Sequence, residues 1–263
     1  CMSMAIDHPS ILERTRLHYK NFISDDKPSF FLKVKYGNFR TPDSKDLILK
    51  TRSWDLGVRD GSFLFYFPRK HHSSLAILDS NLNRAVVYTK DSDSLLLLYL
   101  LPEILFSLIL PENNALMLHA CGVISNKKGY LFVASDGGGK STIAKLAGGR
   151  ILLNDDRIII RRKDSCFRIY GNPWHGEIPM TSNDSAGIDK IFFLEKSRKN
   201  YVLPLKRRES MVNLISNCFY LPISKDIKRK TLELFFHISE ELGCYRLGFK
   251  PDSSIWRFLD ELA

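Results

Sequence analysis

The stretch VASDGGGKSTIA, Val133 to Ala144, sets three consecutive glycines ahead of a lysine and two hydroxyl residues. Each part of that order has a use around phosphate. Glycines let successive backbone N–H groups turn inward toward oxygen atoms, a lysine neutralises the charge of the terminal phosphates, and a serine hydroxyl directly after it reaches a divalent cation. Fourteen residues beyond Ser141, the apolar run LLN ends on two adjacent carboxylates, Asp155 and Asp156. Two acids at a strand end can divide their labour, one taking the proton of an attacking hydroxyl and the other helping to hold a metal.

The loop departs from the pattern G-x-x-x-x-G-K-[ST] at one place. Gly139, Lys140 and Ser141 fill the last three positions, but Ala134 stands where the first glycine is usual. Alanine adds one methyl group and, ending a strand, has no need of a left-handed backbone, whereas Gly137 and Gly138 are expected to supply positive φ. The substitution also fits a module that holds nucleotide without turning it over.

For the loop to work, it must join a strand to a helix, and the flanking residues predict that order. ALMLHACGVISNKKGYLFVAS reads as two strands joined by a turn from Asn126 to Gly129, the second running into the glycines. KSTIAKLAGG, Lys140 to Gly149, has helix formers and stops on two glycines. RILLNDDRIIIRR reads as strand, acidic pair, strand; CFRIYGNPWHGE as a strand and a proline-containing loop; KIFFLEKSRKNYVLPL as a hairpin; and RESMVNLISNCF as a helix. Ile227, Thr231, Leu234, Phe235, Ile238 and Leu242 share one helical face that ends at Gly243, followed by a strand, CYRLGF, and a short helix capped around Asp252 and Ser253.

Ahead of this region, from Ser29 to Thr89, runs such as FFLKVKYG, LILKTRSW, SFLFYF and AVVYT alternate with the turn residues Gly37-Asn38 and Asp60-Gly61, predicting an antiparallel β-rich portion. The apolar run Leu95 to Leu110 contains Pro102 and Glu103 and falls short of the roughly 20 residues that cross a bilayer. It predicts a buried helix, entered through a cap at Asp91, Ser92 and Asp93 and kinked or broken near Pro102. No linker divides the chain. A soft boundary separates residues 1–111 from 112–263, with both parts expected in one compact unit.

The 263 residues suffice for a substantial core, and 44% apolar with 26% charged residues is ordinary for a soluble globular chain. The net charge of +10 attracts anions without choosing among them. Its denser runs, Arg157 to Lys163, Lys196 to Arg208 and Lys225 to Lys230, read first as solvated faces. Nucleic acid is not expected, since aromatic and basic residues are not interleaved as in a recognisable binding module. Five scattered cysteines without a C-x-x-C pair look like reduced thiols, and the first residues hold no apolar stretch of signal-peptide length, so a cytoplasmic protein away from the membrane is the expectation. A cysteine hydrolase on Cys121 and His119 is a weak reading, because residues two apart on a strand point the same way but no orienting third group is evident. Homo-oligomers stay open.

Taken together, LHACGVI, ASDGGGKSTIAKL and LLNDDRIII, spread over Leu116 to Glu177 with NPWHGE behind them, resemble the HPr kinase/phosphorylase family and its wider group of HPr-kinase-like serine/threonine and peptide kinases. The resemblance implies an α/β fold with a P-loop, mixed-sheet core like the HPr kinase C-terminal domain or PEP carboxykinase. It implies an ATP- and Mg²⁺-dependent kinase that phosphorylates a hydroxyl, on Ser or Thr of a peptide or protein or on a small molecule. Ser135, Asp136, Gly137, Gly138, Gly139, Lys140, Ser141 and Thr142 would then hold the nucleotide, with Lys140 also catalytic. Asp155 would be the general base and His119 a residue orienting it, while Ser141, Asp156 and Glu177 would hold magnesium and His175 would touch phosphate. Nothing after residue 177 is similar to the arginine- and glycine-rich segment of true HPr kinases, so HPr is not the expected acceptor. The run from Arg198 to Arg208 would instead receive an acidic or carboxylate-bearing one.

Overall fold

The computed structural model describes residues 1–68, 73–90 and 96–262. The chain is α/β with two mixed sheets, and its contacts divide it into Cys1–Pro102 and Glu103–Ala263. That division falls nine residues before the boundary drawn from sequence.

Among the described residues, the first unit holds seven strands: β1 (Met2–Ile6), β2 (Phe30–Tyr36), β3 (Leu47–Lys50), β4 (Asp55–Arg59), β5 (Ser62–Phe67), β6 (Ser74–Leu78) and β7 (Arg84–Thr89). They lie in the order β1-β2-β7-β6-β5-β4-β3. In β2 the sequence alternates as a half-buried strand must, with Phe30, Leu32 and Val34 inside and Phe31 and Lys33 outside. From β3 to β7 every pairing is antiparallel, and Asp60 and Gly61 make the β4–β5 turn with φ of 49° and 75°. The expectation of a wholly antiparallel region is corrected at the other edge, where β1 with β2 and β2 with β7 run parallel. Alternation says that a strand is half-buried and leaves its partner open.

Helix α1 (Pro9–Tyr19), absent from the sequence reading, opens on proline at its first position and buries Ile11. Leu96–Leu100 form a π-helical turn that runs into α2 (Leu101–Glu112). Pro102 has no N–H for the carbonyls a turn behind it, and the Tyr19 hydroxyl lies 3.2 Å from both the Leu97 and Leu98 oxygens. The break foreseen near Pro102 is therefore a change of helical type beside it. The proposed cap at Asp91, Ser92 and Asp93 lies outside the described residues. None of the described helices is long and apolar enough to cross a membrane.

The second unit holds β8 (Ala115–Ser125), β9 (Lys128–Val133), β10 (Ile151–Asn154), β11 (Arg157–Lys163), β12 (Cys166–Tyr170), β13 (Ser185–Lys196), β14 (Tyr201–Pro204) and β15 (Gly243–Phe249). β8 pairs with β9, β10 and β11, and the pairings β8-β11-β12-β13-β9-β8 close a ring. β9, β13 and β15 run parallel. The hairpin expected of KIFFLEKSRKNYVLPL does not form, because β15 lies between β13 and β14 and bonds to both.

Helices cover both faces. On one, α4 (Arg207–Ser216) and α5 (Lys225–Glu241) bury Leu214, Leu234, Phe235 and Ile238 against Leu118, Leu131, Val133 and Ile191. The α5 face read from the sequence is the buried one, and Ser224 caps it by accepting from the Ile227 N–H. On the opposite face, α3 (Lys140–Lys145) and α6 (Ser254–Asp260) bury Ile143, Ala144, Ile255, Trp256 and Leu259 against Cys121, Phe132 and Phe192. Consecutive residues of β8, β9 and β13 thus serve opposite cores, which fixes how the loop after β9 leaves the sheet.

Candidate functional site

β9 carries the chain through the buried Phe132 and Val133 into the loop, and α3 begins at Lys140. Gly137 and Gly139 have φ of 70° and 105°, a conformation that side chains with a Cβ rarely adopt. Gly138 is not left-handed, contrary to expectation. Its lack of a side chain matters for space, since a Cβ there would stand 2.5 Å from the Ala134 methyl. Ala134 itself is buried and has no positive φ, so the methyl that replaces the usual glycine sits beneath the loop. The Gly138 N–H donates to the Ser135 carbonyl at 3.0 Å, tightening the bend.

Lys140 is only 6% exposed, and its Nζ donates to the carbonyls of Ala134 at 2.9 Å and Ser135 at 3.2 Å. Burial pulls its pKa below the usual lysine value, while the charges of Asp156, Asp136 and Asp155 act the other way. The side chain thus crosses the loop from the start of α3 to the end of β9.

The two carboxylates occupy different surroundings. Asp155 is 1% exposed, accepts the Gly176 N–H on Oδ1 at 2.8 Å and the Ile178 N–H on Oδ2 at 3.1 Å, and has the Ser141 Oγ 3.5 Å from Oδ2. Asp156 meets the His119 Nε2 at 2.8 Å and also pairs with Arg157. The carboxylate beside His119 is therefore Asp156 and the one beside Ser141 is Asp155, the reverse of the arrangement the resemblance implies. Burial raises the Asp156 pKa, but the hydrogen bond from His119 and the charges of Arg157, His119 and Lys140 outweigh it and leave the carboxyl below its ordinary value. His119 also lies 3.3 Å from the loop's Asp136. The Ala120 N–H donates to the Asp156 carbonyl at 3.0 Å, fixing β8 against the acid pair.

These groups share one cavity of about 760 Å³, lined by Asp136, Gly137, Gly139, Lys140, Ser141, Thr142, Asp155 and Asp156 together with Gly176, Glu177 and Phe249. Its volume suits a nucleotide-sized ligand. Ser135 and Gly138 shape the loop without lining that space. Glu177 lines it but points to solvent, pairing with Lys145 at 3.4 Å. Among the described residues no group of three or more His, Cys, Asp or Glu side chains is arranged to hold a metal ion. His175 does not line the cavity. Its Nδ1 lies 3.0 Å from the Gly176 carbonyl oxygen. From the basic run after Lys196, Arg198 lines the cavity while Arg207 pairs with Glu240 at 2.7 Å.

Several residues of the site escape sequence reasoning. Asn154 and Asn172 are buried and bonded between the acid pair and the NPWHGE loop. Arg157 bridges Asp156 to Glu103, the latter at 3.2 Å, and burial raises the Glu103 pKa above the usual range despite that arginine. Gly176 has no room for a Cβ, which would stand 2.7 Å from that of Asp156. An Asn that ends an apolar run can turn the chain by accepting the N–H two residues on, and that was the available signal for Asn154. Cys121 is fully buried beneath α3 and its thiol is pushed far above the usual range by burial, which removes the cysteine-hydrolase reading.

No family model and no curated protein matches the chain. Among solved structures, the Hpr(Ser) kinase/phosphatase from Coxiella burnetii is similar over 48% of this chain and 92% of that one, at 14% identity and a TM-score of 0.28. A likeness that loose carries no argument for function.

Proposed function

We propose that the chain is an ATP- and Mg²⁺-dependent kinase, a phosphotransferase that moves the γ-phosphate to a hydroxyl acceptor. The observation that carries this reading is the convergence, in one cavity, of a glycine loop with left-handed Gly137 and Gly139, the buried Lys140, Ser141 and two carboxylates. Phosphoryl transfer passes through a loose transition state that needs little covalent help. Positioning and charge neutralisation do most of the work.

The loop amides and Lys140 would receive the β- and γ-phosphates, with Lys140 exchanging the carbonyls of Ala134 and Ser135 for phosphate oxygens. Ser141 and Asp155 offer hard oxygen atoms 3.5 Å apart, a pair that fits Mg²⁺ taking its other ligands from phosphate and water. When bound, that cation neutralises charge on the phosphates. Asp156, held by His119 and Arg157, would orient the acceptor hydroxyl and take its proton. Its lowered pKa makes it a weak base, and a loose transition state asks for no stronger one. Lys196 and Arg198 on the cavity wall would favour an acidic acceptor, a Ser- or Thr-bearing peptide or protein among them.

The test is label transfer from γ-labelled ATP with Mg²⁺ to a library of Ser and Thr peptides. Asp155→Asn and Asp156→Asn are each expected to lower transfer by about 100-fold or more, with ATP affinity changed far less. Tight binding with no transfer that depends on either acid would instead mark a nucleotide-binding regulatory module.

A further inference from the structure

We infer that Asn154 is a positioning residue that sets the orientation of Asp155 through the loop at 172–178, an inference that rests on the kinase reading. Asn154 is 0% exposed, and both ends of its carboxamide are engaged. Oδ1 accepts the N–H groups of Asp156 at 2.8 Å and Arg157 at 3.0 Å, holding the turn that bears the acids. Nδ2 faces three oxygens of another segment, the Asn172 carbonyl at 3.2 Å, the Asn172 Oδ1 at 3.3 Å and the Trp174 carbonyl at 3.0 Å. Asn172 returns the tie, its Nδ2 donating to the Arg157 carbonyl at 2.6 Å and its Oδ1 accepting the Trp174 N–H at 3.1 Å.

That same segment then supplies the two N–H groups that grip Asp155, from Gly176 and Ile178. The carboxylate therefore points where the 172–178 segment lets it, and the paired asparagines fix that segment against the acid turn. An apolar residue would fill the space at position 154 equally well. A buried amide with its donors and acceptor all used selects one arrangement of the two segments.

Asn154→Ser separates the two halves of the tie. A serine hydroxyl can still accept from the turn but cannot span to the three oxygens of the loop. Three readouts on the full chain decide the case: hydrogen exchange of residues 171–179, MgATP affinity by calorimetry, and phosphate release from MgATP with water as acceptor, counted per binding site. Exchange in 171–179 is expected to accelerate about 10-fold or more. kcat should fall by about 10- to 100-fold, the scale of a misplaced reacting group, while MgATP affinity stays within about threefold and exchange at 134–141 is unchanged.

Unaltered exchange in 171–179, or a retained kcat despite faster exchange, overturns the inference. So does a joint loss of affinity and protection throughout the chain, which would mark a purely structural residue. If the native chain releases no phosphate to water that depends on Asp155 or Asp156, kcat is read from label transfer to Ser and Thr peptides instead; absence of that transfer as well fails the kinase reading, and the tie is then judged by exchange alone. Should Asn154→Ser not fold, Asn172→Ser cuts the tie from the other side with the same expected outcomes.

Discussion

Among the described residues, the Cys1–Pro102 unit buries only hydroxyls as polar side chains, Thr15, Ser74 and Thr89, whereas Glu103–Ala263 also buries Lys140 and Asp155, which line one cavity, and the amides Asn154 and Asn172 bonded to the acid turn. A buried hydroxyl needs one partner, as Ser74 and Thr89 give each other at 2.7 Å. A buried ammonium or carboxylate costs several kcal/mol unless paired and hydrogen-bonded, and apolar residues of equal volume often stabilise a fold more. The polar groups buried in the first unit thus ask little of it beyond packing. The second carries groups that packing does not call for: Lys140 and Asp155 line the cavity of the glycine loop, and Asn154 and Asn172 tie the acid turn behind it.

Lys140→Met breaks the contrast most sharply. It removes the charge and keeps the volume, so MgATP affinity measured by calorimetry should fall by about 100-fold, the equivalent of losing about 3 kcal/mol of charge-assisted hydrogen bonds. The urea midpoint should change little, since the loss of a desolvated ammonium offsets the Ala134 and Ser135 carbonyls left without their donor. A chain that loses stability and keeps its affinity would make Lys140 a core residue like any other.

Thr89→Val gives the opposite pattern in the first unit. The Ser74 hydroxyl loses its partner, which should cost about 1 kcal/mol in urea unfolding, with MgATP affinity unchanged. A shift in affinity of the same size would blur the distinction drawn here.

The smallest effect concerns acid. Because the folded pKa of Asp156 lies below the usual carboxylate value of 3.8, its interactions with His119 and Arg157 stabilise the fold fully above that value. The stabilisation is lost as the pH falls through the lower, folded value. The stability difference between the native chain and Asp156→Asn, followed by urea unfolding from pH 6 to pH 2.5, should be flat to about pH 4.5 and shrink below it. A difference that grows with acid would contradict the ionised, paired Asp156.

Much of the site was legible because its signals are local. The strand, loop and helix around Gly137 to Lys140, and the strand ending at the acid pair, follow from periodicity and turn residues within a few positions. What escaped depends on distant chain. β15 enters between β13 and β14 from more than forty residues beyond β14's start, and no alternation pattern encodes that choice. The parallel edge formed by β1, β2 and β7 is of the same kind. Which carboxylate meets His119 follows from the β8–β11 register, where His119 lies opposite Arg157, and spacing along the chain cannot supply it. Gly176 reads as a loop glycine until the closeness of Asp155 and Asp156 is seen.

The central claim is that a triphosphate sits on the Gly137–Ser141 bend between Lys140 and the acid pair. A crystal structure with Mg²⁺ and a non-hydrolysable ATP analogue tests it directly. The account predicts β- and γ-phosphate oxygens within hydrogen-bonding distance of the loop amides, the Lys140 Nζ moved from the Ala134 and Ser135 carbonyls onto phosphate, and Mg²⁺ beside Ser141 and Asp155. An analogue bound elsewhere, or a loop whose amides and lysine keep their present partners at saturating ligand, would contradict it.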